Sequence, residues 1–213
     1  MFQHIIQFLT GRARHILVGS IVMLYVGCSK VPQLSPLPER AVIVAFGDSL
    51  TAGTGAGEAE SYPAVLSRLV ARTVVNSGIP GEFSADGTAR LANVLDQEHP
   101  SLLILCHGGN DMLARHDNQK IAHNLRSMVR LAHERGIAVV LLAVPAPDPA
   151  LRPPALYEEV AKEFGLPVEQ KAVRRILGTA SLKSDYIHPN AAGYAQLAEA
   201  VAELLRSSGA LER

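Results

Sequence analysis

Ser49, Asp185 and His188 stand in two stretches, "AFGDSLTAGTG" and "SDYIHPN", whose residue types could do chemistry. Acyl transfer needs a hydroxyl to attack, a base to take its proton, a group to orient that base, and donors for the oxyanion. Ser49 supplies the hydroxyl and His188 the base. Asp185 lies three residues before His188. In a turn its carboxylate can reach the Nδ1–H of that imidazole, fixing the tautomer and stabilising the imidazolium. For the oxyanion the chain offers the N–H of Ser49, the N–H of a glycine in "NSGIPG" (Gly78 or Gly81), and the side-chain amide of Asn110 in "HGGND". Glycine suits that second donor because the backbone must approach the substrate without a Cβ.

Each of these residues also has a plainer reading. Ser49 alone reads as a loop serine, His188 as a surface histidine before a helix, and Asp185 or Asn110 as a turn or cap residue. Asp48 adjoins the serine, but its neighbouring position points its side chain elsewhere, so it reads as a structural hydrogen-bonding group. A carboxylate pair for glycoside hydrolysis, Asp48 with Asp185, would leave Ser49, Asn110 and His188 unexplained. His116, His123 and His133 do not share one helical face, and no zinc pattern accompanies them, so no metal and no cofactor is expected. Cys106, inside an apolar run, reads as a small buried hydrophobe. His107 either lines the site or ends a strand.

The elements that must position these groups alternate. Short apolar runs at 41–46, 73–76, 102–106 and 137–144 read as strands covered on both faces. Helical patterns fall at 61–72, 84–98, 119–135, 155–165 and 190–207, with Asn118 as an N-cap and Gly136 as a stop. In the last of them Tyr194, Leu197, Val201 and Leu204 recur at helical spacing and should pack on the sheet. This order predicts a three-layer α/β domain with a parallel sheet. Ligands of such sheets lie beyond the carboxyl ends of the strands. Ser49, the glycines Gly78 and Gly81, and "HGGND" each follow a strand, so all should gather on one edge.

In this order "GDSL", "NSGIPG", "GGND" and "DYIHP" resemble the four blocks of the SGNH (GDSL) hydrolase family, over about 41–213. "FGDSLTAG" and "GGND" are similar to the small bacterial arylesterase and thioesterase/lysophospholipase branch. The resemblance implies a three-layer α/β/α, flavodoxin-like fold around a central parallel sheet. It implies Ser49 as nucleophile, Asp185 and His188 as its triad partners, and Ser49, Gly81 and Asn110 as the oxyanion hole. The Gly-x-Ser-x-Gly elbow of α/β-hydrolases is absent. Two stretches depart from the family pattern: Glu82-Phe83 after Gly81, where many relatives carry a small polar residue, and the Pro-rich segment 145–159.

At 213 residues the chain suits one domain with a sizeable core. Twenty basic and twenty acidic residues cancel, which gives no support to a nucleic-acid partner. The first forty residues differ from the rest. Arg12 and Arg14 precede the apolar run "ILVGSIVMLYVG", shorter than the roughly 20 residues that span a bilayer. The ending "LYVGCSK" resembles a bacterial lipoprotein signal. That implies a signal peptide over 1–27, lipidation of Cys28, a Pro-rich tether over 28–40 and a hydrolase domain over 41–213. An uncleaved anchor and an ordinary secretory signal are the competing readings. The expected protein is a serine esterase of the cell envelope, held to a membrane by its lipid, on the periplasmic side where an outer membrane exists. It would form an acyl-enzyme on Ser49 from small-molecule or lipid esters: aryl or short acyl esters, lysophospholipids, or thioesters. A carbohydrate O-acetyl esterase is the alternative among enzymes, and a lipid-anchored binding protein with an inactive site the alternative outside them.

Overall fold

Apolar runs too short for helices form the strands, and longer amphipathic stretches between them form the covering layers. The computed structural model describes residues 31–212. The signal-like stretch 1–27 and Cys28 lie outside the described residues. In chain order the elements are β1 (Val42–Gly47), α1 (Ser49–Ala52), α2 (Tyr62–Val70), β2 (Thr73–Gly78), α3 (Ser84–Glu98), β3 (Leu102–Cys106) and α4 (Gly109–Leu113). There follow α5 (Asn118–His133), β4 (Ala138–Leu142), α6 (Leu156–Phe164), β5 (Val168–Glu169), α7 (Ala172–Leu177) and α8 (Ala191–Ser207).

The strands pair in the order β2-β1-β3-β4-β5, every neighbouring pair parallel. This is the flavodoxin-like order, and its direction reverses between β1 and β3. The first crossover, through α2, runs one way from β1, and the next three run the other way. Right-handed connections therefore put α2 and α3 on opposite faces. α2 packs with α8, while α3, α5 and α6 pack as neighbours in the other layer. Both central strands are sealed: Ile43 to Phe46 of β1 and Leu102 to Cys106 of β3 have no exposed surface. In α8, Tyr194, Leu197 and Val201 are buried as their spacing predicts, but Leu205 rather than Leu204 continues the fully buried stripe.

Several boundaries differ from the sequence expectation. β2 runs on to Gly78, because Phe46 and Gly47 of β1 pair with Ser77 and Gly78. β4 stops at Leu142, and Val144 onward serves a different purpose, described below. Asp117, not Asn118, caps α5; its carboxylate accepts the Gln119 N–H at 2.9 Å. α1, α4, α7 and the two-residue β5 are too short to show a period.

The segment expected to be a plain tether is docked from Gln33 to Pro38. The Leu34 N–H donates to the Ser208 carbonyl and the Leu37 N–H to that of Ala210, each at 2.8 Å. Both leucines pack against the core. The polar, Pro-rich composition hid this, because two leucines spaced three apart carry no strand or helix pattern on their own.

Candidate active site

Register decides where the polar clusters meet. Gly47, the last residue of β1, pairs with Gly78 of β2 and Cys106 of β3. The three strands thus end level, and the loops beginning at Asp48, Ile79 and His107 leave from one edge. Directly after β1, the buried Asp48 side chain accepts the Leu50 N–H at 3.1 Å and starts the short helix α1. Burial pushes the Asp48 carboxyl above its ordinary value. This is the structural hydrogen bond expected of it. Ser49 is thereby held at the first turn of α1, its hydroxyl free of the cap.

The opposing group comes from a closed loop. Lys183 and Pro189 form an antiparallel bridge, and the Ser184 N–H donates to the His188 carbonyl at 2.9 Å. Inside this loop Asp185 makes an Asx turn: its Oδ1 accepts the N–H groups of Ile187 and His188, each at 2.8 Å. Its Oδ2 remains for the His188 ring, at 2.8 Å from Nδ1. His188 Nε2 in turn lies 3.0 Å from Ser49 Oγ. Burial is the largest single influence on the Asp185 carboxyl and raises it, but the His188 ring and the two backbone donors together outweigh it and hold the group below the ordinary carboxylate range. An ionised Asp185 can only accept, so Nδ1 carries the proton and Nε2 is left to accept from the serine. The Asp185 side chain is 51 % exposed and that of His188 only 14 %. Its charge is therefore well screened by water, and its main effect is on the ring's orientation and tautomer.

Asn110 stands at the start of α4 and lines the same pocket as Ser49 and His188. One amide hydrogen is used: Nδ2 donates to the Glu82 carbonyl at 3.0 Å. Among the described residues the other has no acceptor, so it can donate. The two candidate glycines separate cleanly. A Cβ on Gly78 would overlap the backbone of Thr51 and Ala52, so this glycine exists for the close approach of α1 to β2. Gly81 has φ +82°, and no atom lies within 4 Å of where its Cβ would be. Among the described residues no hydrogen bond occupies the N–H of Ser49 or of Gly81.

The pocket beside Ser49 has a volume of about 350 Å³ and is mainly apolar, lined by Leu113, Val144, Leu151, Leu177 and Ile187. Pro145, Pro147 and Pro149 form one wall, which accounts for the Pro-rich segment that fitted no family pattern. Tyr186 stands 89 % exposed at its mouth.

Of the two readings, His107 fits the second: it directly follows β3 and does not line the pocket, its ring turning inward with no exposed surface, 5.4 Å from the Phe46 ring. Its Nε2 lies 3.1 Å from Glu82 Oε2, off the line of a well-formed hydrogen bond. Cys106 is a free, buried cysteine whose thiol burial pushes well above its usual value, far from a reactive thiolate. Two residues to which sequence reasoning assigned no part in the site also serve it. Asp111 is buried and accepts the Ser84 N–H at 2.8 Å and the Ser84 hydroxyl at 2.9 Å, pinning α3 to α4. The Tyr194 hydroxyl donates to the Thr54 carbonyl at 2.8 Å and braces the loop after α1. The "GGND" block signalled the first, while only the apolar stripe of α8 pointed to the second.

A level sheet edge that carries a hydrogen-bonded serine, histidine and aspartate defines a serine hydrolase of the α/β/α type. The chain belongs to the GDSL-like Lipase/Acylhydrolase family, whose profile matches residues 45–196. It is a carboxylic ester hydrolase of that family. It is similar to "Esterase TesA" of Pseudomonas aeruginosa, 29 % identical over 194 residues that cover 84 % of this chain and 94 % of the relative. It is also 30 % identical over 156 residues to "Thioesterase 1/protease 1/lysophospholipase L1" of Escherichia coli, covering 70 % of this chain and 75 % of the relative. Among solved structures, a crystal structure of TesA superimposes with a TM-score of 0.72 at 29 % identity, over 78 % of this chain and 98 % of the other.

Proposed function

We propose that the protein hydrolyses esters through an acyl-enzyme on Ser49. The observation that carries this reading is the continuous hydrogen-bonded line Ser49–His188–Asp185 at an apolar pocket that also holds Asn110. As Ser49 Oγ bonds to the ester carbonyl carbon, its proton passes to His188 Nε2. The oxyanion is met by the second amide hydrogen of Asn110 and the N–H groups of Ser49 and Gly81. Collapse breaks the bond to the leaving alkoxide, which takes the proton from His188. Water then attacks the acyl carbon, giving its proton to the same nitrogen, and Ser49 leaves with that proton as the acid is released.

The pocket supports a substrate with one apolar group. At about 350 Å³ it is near the lower end of the range for small-molecule sites, suited to one acyl or aryl group rather than to a two-chain lipid. Aryl esters, acyl esters of short to medium length, lysophospholipids and the corresponding thioesters are the class this suits. The relatives named esterase and thioesterase/lysophospholipase support the same reading. We place the protein in the cell envelope with lipid on Cys28. Support comes from the basic residues, the apolar run and Gly27-Cys28 in the sequence.

A panel of p-nitrophenyl esters of rising chain length, with a lysophospholipid and an O-acetylated sugar, tests the substrate class. Turnover should favour the apolar acyl esters. Turnover confined to the O-acetylated sugar would contradict the reading, as would none at all. Intact mass of membrane-extracted protein tests the anchor. A mature chain with unmodified Cys28, or one that retains residues 1–27, would overturn it.

A further inference from the structure

Gly81 poses a mechanical question. No neighbouring atom packs within 4 Å of its side-chain position, and its φ of +82° lies in a region open to many loop conformations. Packing on Gly81 itself does not fix the peptide that would offer its N–H. The next residue does. Glu82 is 8 % exposed, a carboxylate buried in the loop between β2 and α3. Arg90, from α3, grips both carboxylate oxygens, through Nε to Oε1 and through Nη2 to Oε2 at 2.7 Å. The same guanidinium donates to the Ser77 hydroxyl and to the Ser77 carbonyl at the end of β2, each at 2.8 Å, and lies 3.9 Å over the Phe46 ring. His107 closes the other side at 3.1 Å. Burial alone would raise the Glu82 carboxyl, but His107 and Arg90 outweigh it and hold the group below its ordinary value. Meanwhile the Glu82 main-chain carbonyl accepts the Asn110 amide at 3.0 Å.

Glu82 thus joins two features of the proposed oxyanion site. Its main chain follows Gly81 and orients Asn110, while its side chain is locked to β2, α3 and the end of β3. A buried bidentate pair of this kind fixes geometry more surely than it adds net stability. We propose that Glu82, clamped by Arg90 and backed by the buried His107 ring, is a positioning residue that sets the Gly81 and Asn110 donors for the oxyanion. The inference rests on the oxyanion role given to Asn110 above. It requires no contact between Glu82 and substrate.

The test is a double-mutant cycle on the full chain with p-nitrophenyl butyrate as probe, using Glu82→Gln, Arg90→Lys, Asn110→Ala and the Glu82→Gln/Asn110→Ala pair. Glu82→Gln keeps the shape but loses the charge that holds the clamp. It should lower kcat about tenfold to a hundredfold with KM within about twofold, the pattern of a misplaced transition-state donor. Arg90→Lys keeps the charge but not the fork, and should show a smaller loss of the same kind. In the Asn110→Ala background the Glu82→Gln loss should be smaller, because one of the two donors it sets is gone. Thermal melting checks that each variant folds; should Glu82→Gln not fold, the cycle is run with Arg90→Lys and reads the same prediction. A wild-type kcat in Glu82→Gln, a loss confined to KM, or an equal loss in both backgrounds would overturn the inference. Asn110→Ala with undiminished kcat would instead contradict the underlying oxyanion reading, so the two failures are distinguishable.

Discussion

His188 Nε2 lies 3.0 Å from Ser49 Oγ, although the two residues are 139 positions apart in the chain. Neither residue is placed by the other. Ser49 is set by the end of β1 and the Asp48 cap, His188 by the bridged loop before α8. That separation yields a prediction for Asp185, whose Oδ1 builds the loop while Oδ2 holds the ring. Asp185→Asn retains an acceptor for the turn but can present an N–H donor to Nδ1, which favours the wrong tautomer. The variant should melt near the wild type and lose on the order of 10²–10⁴ in kcat. Steady-state kinetics beside a melting curve check this; a fall in melting temperature that accounts for the lost rate would contradict it.

Gly78 and Gly81 should fail in different ways. Gly78→Ala forces a Cβ into the backbone of Thr51 and Ala52, so α1 must move from β2 and folding should suffer most. Gly81→Ala meets no atom, and its cost is backbone strain of about 1 kcal/mol at a positive φ. That variant should fold and lose kcat as its N–H shifts. Circular dichroism melts with kcat for both variants separate the outcomes; a reversed pattern would mean Gly78 is the donor.

Acid should act through Glu82. Its folded value is depressed below the ordinary 4.5, so its contribution to stability is complete above that value and is lost as pH falls through the folded one. Glu82→Gln cannot lose that contribution. The gap in melting temperature between wild type and Glu82→Gln should therefore be largest near pH 7 and narrow as pH falls below 4.5. A gap independent of pH would show that the carboxylate is not held as described.

The docked segment should matter for stability and not for rate. Removing the contacts of Leu34 and Leu37 costs two backbone hydrogen bonds and two partly buried leucines, together about 2–4 kcal/mol. A chain beginning at Glu39 should unfold at lower urea than one beginning at Val31, with kcat unchanged within about twofold. Equal urea midpoints would mean the segment is only laid against the domain.

How much of this could be read from the residues alone follows from the range of the interactions. The strands of the central sheet were legible because apolar runs such as 102–106 can only be buried, and their ends put Ser49, Gly81 and Asn110 on one edge. Asp185 and His188 were legible because their interaction is local, closed within one turn. Glu82, Arg90 and His107 were not. Their meaning lies in contacts across three different elements, and no spacing along the chain records them. The pocket wall at 144–151 was illegible for a related reason: prolines announce the absence of a strand or helix, but not which surface the resulting loop faces. The docking of Leu34 and Leu37 depends on the end of α8, more than 170 residues away in the chain.

Covalent labelling of Ser49 tests the nucleophile most directly. Wild-type protein treated with a fluorophosphonate should gain the mass of one phosphonyl group on intact-mass analysis, mapped to the peptide that contains Ser49. Heat-denatured protein should gain none, because only the folded line to His188 activates the hydroxyl. Ser49→Ala should take up no label and lose on the order of 10⁴–10⁶ in kcat. Equal labelling of wild type and Ser49→Ala, or a label mapped to another residue with Ser49→Ala still turning over ester, would contradict the assignment of Ser49 as the nucleophile.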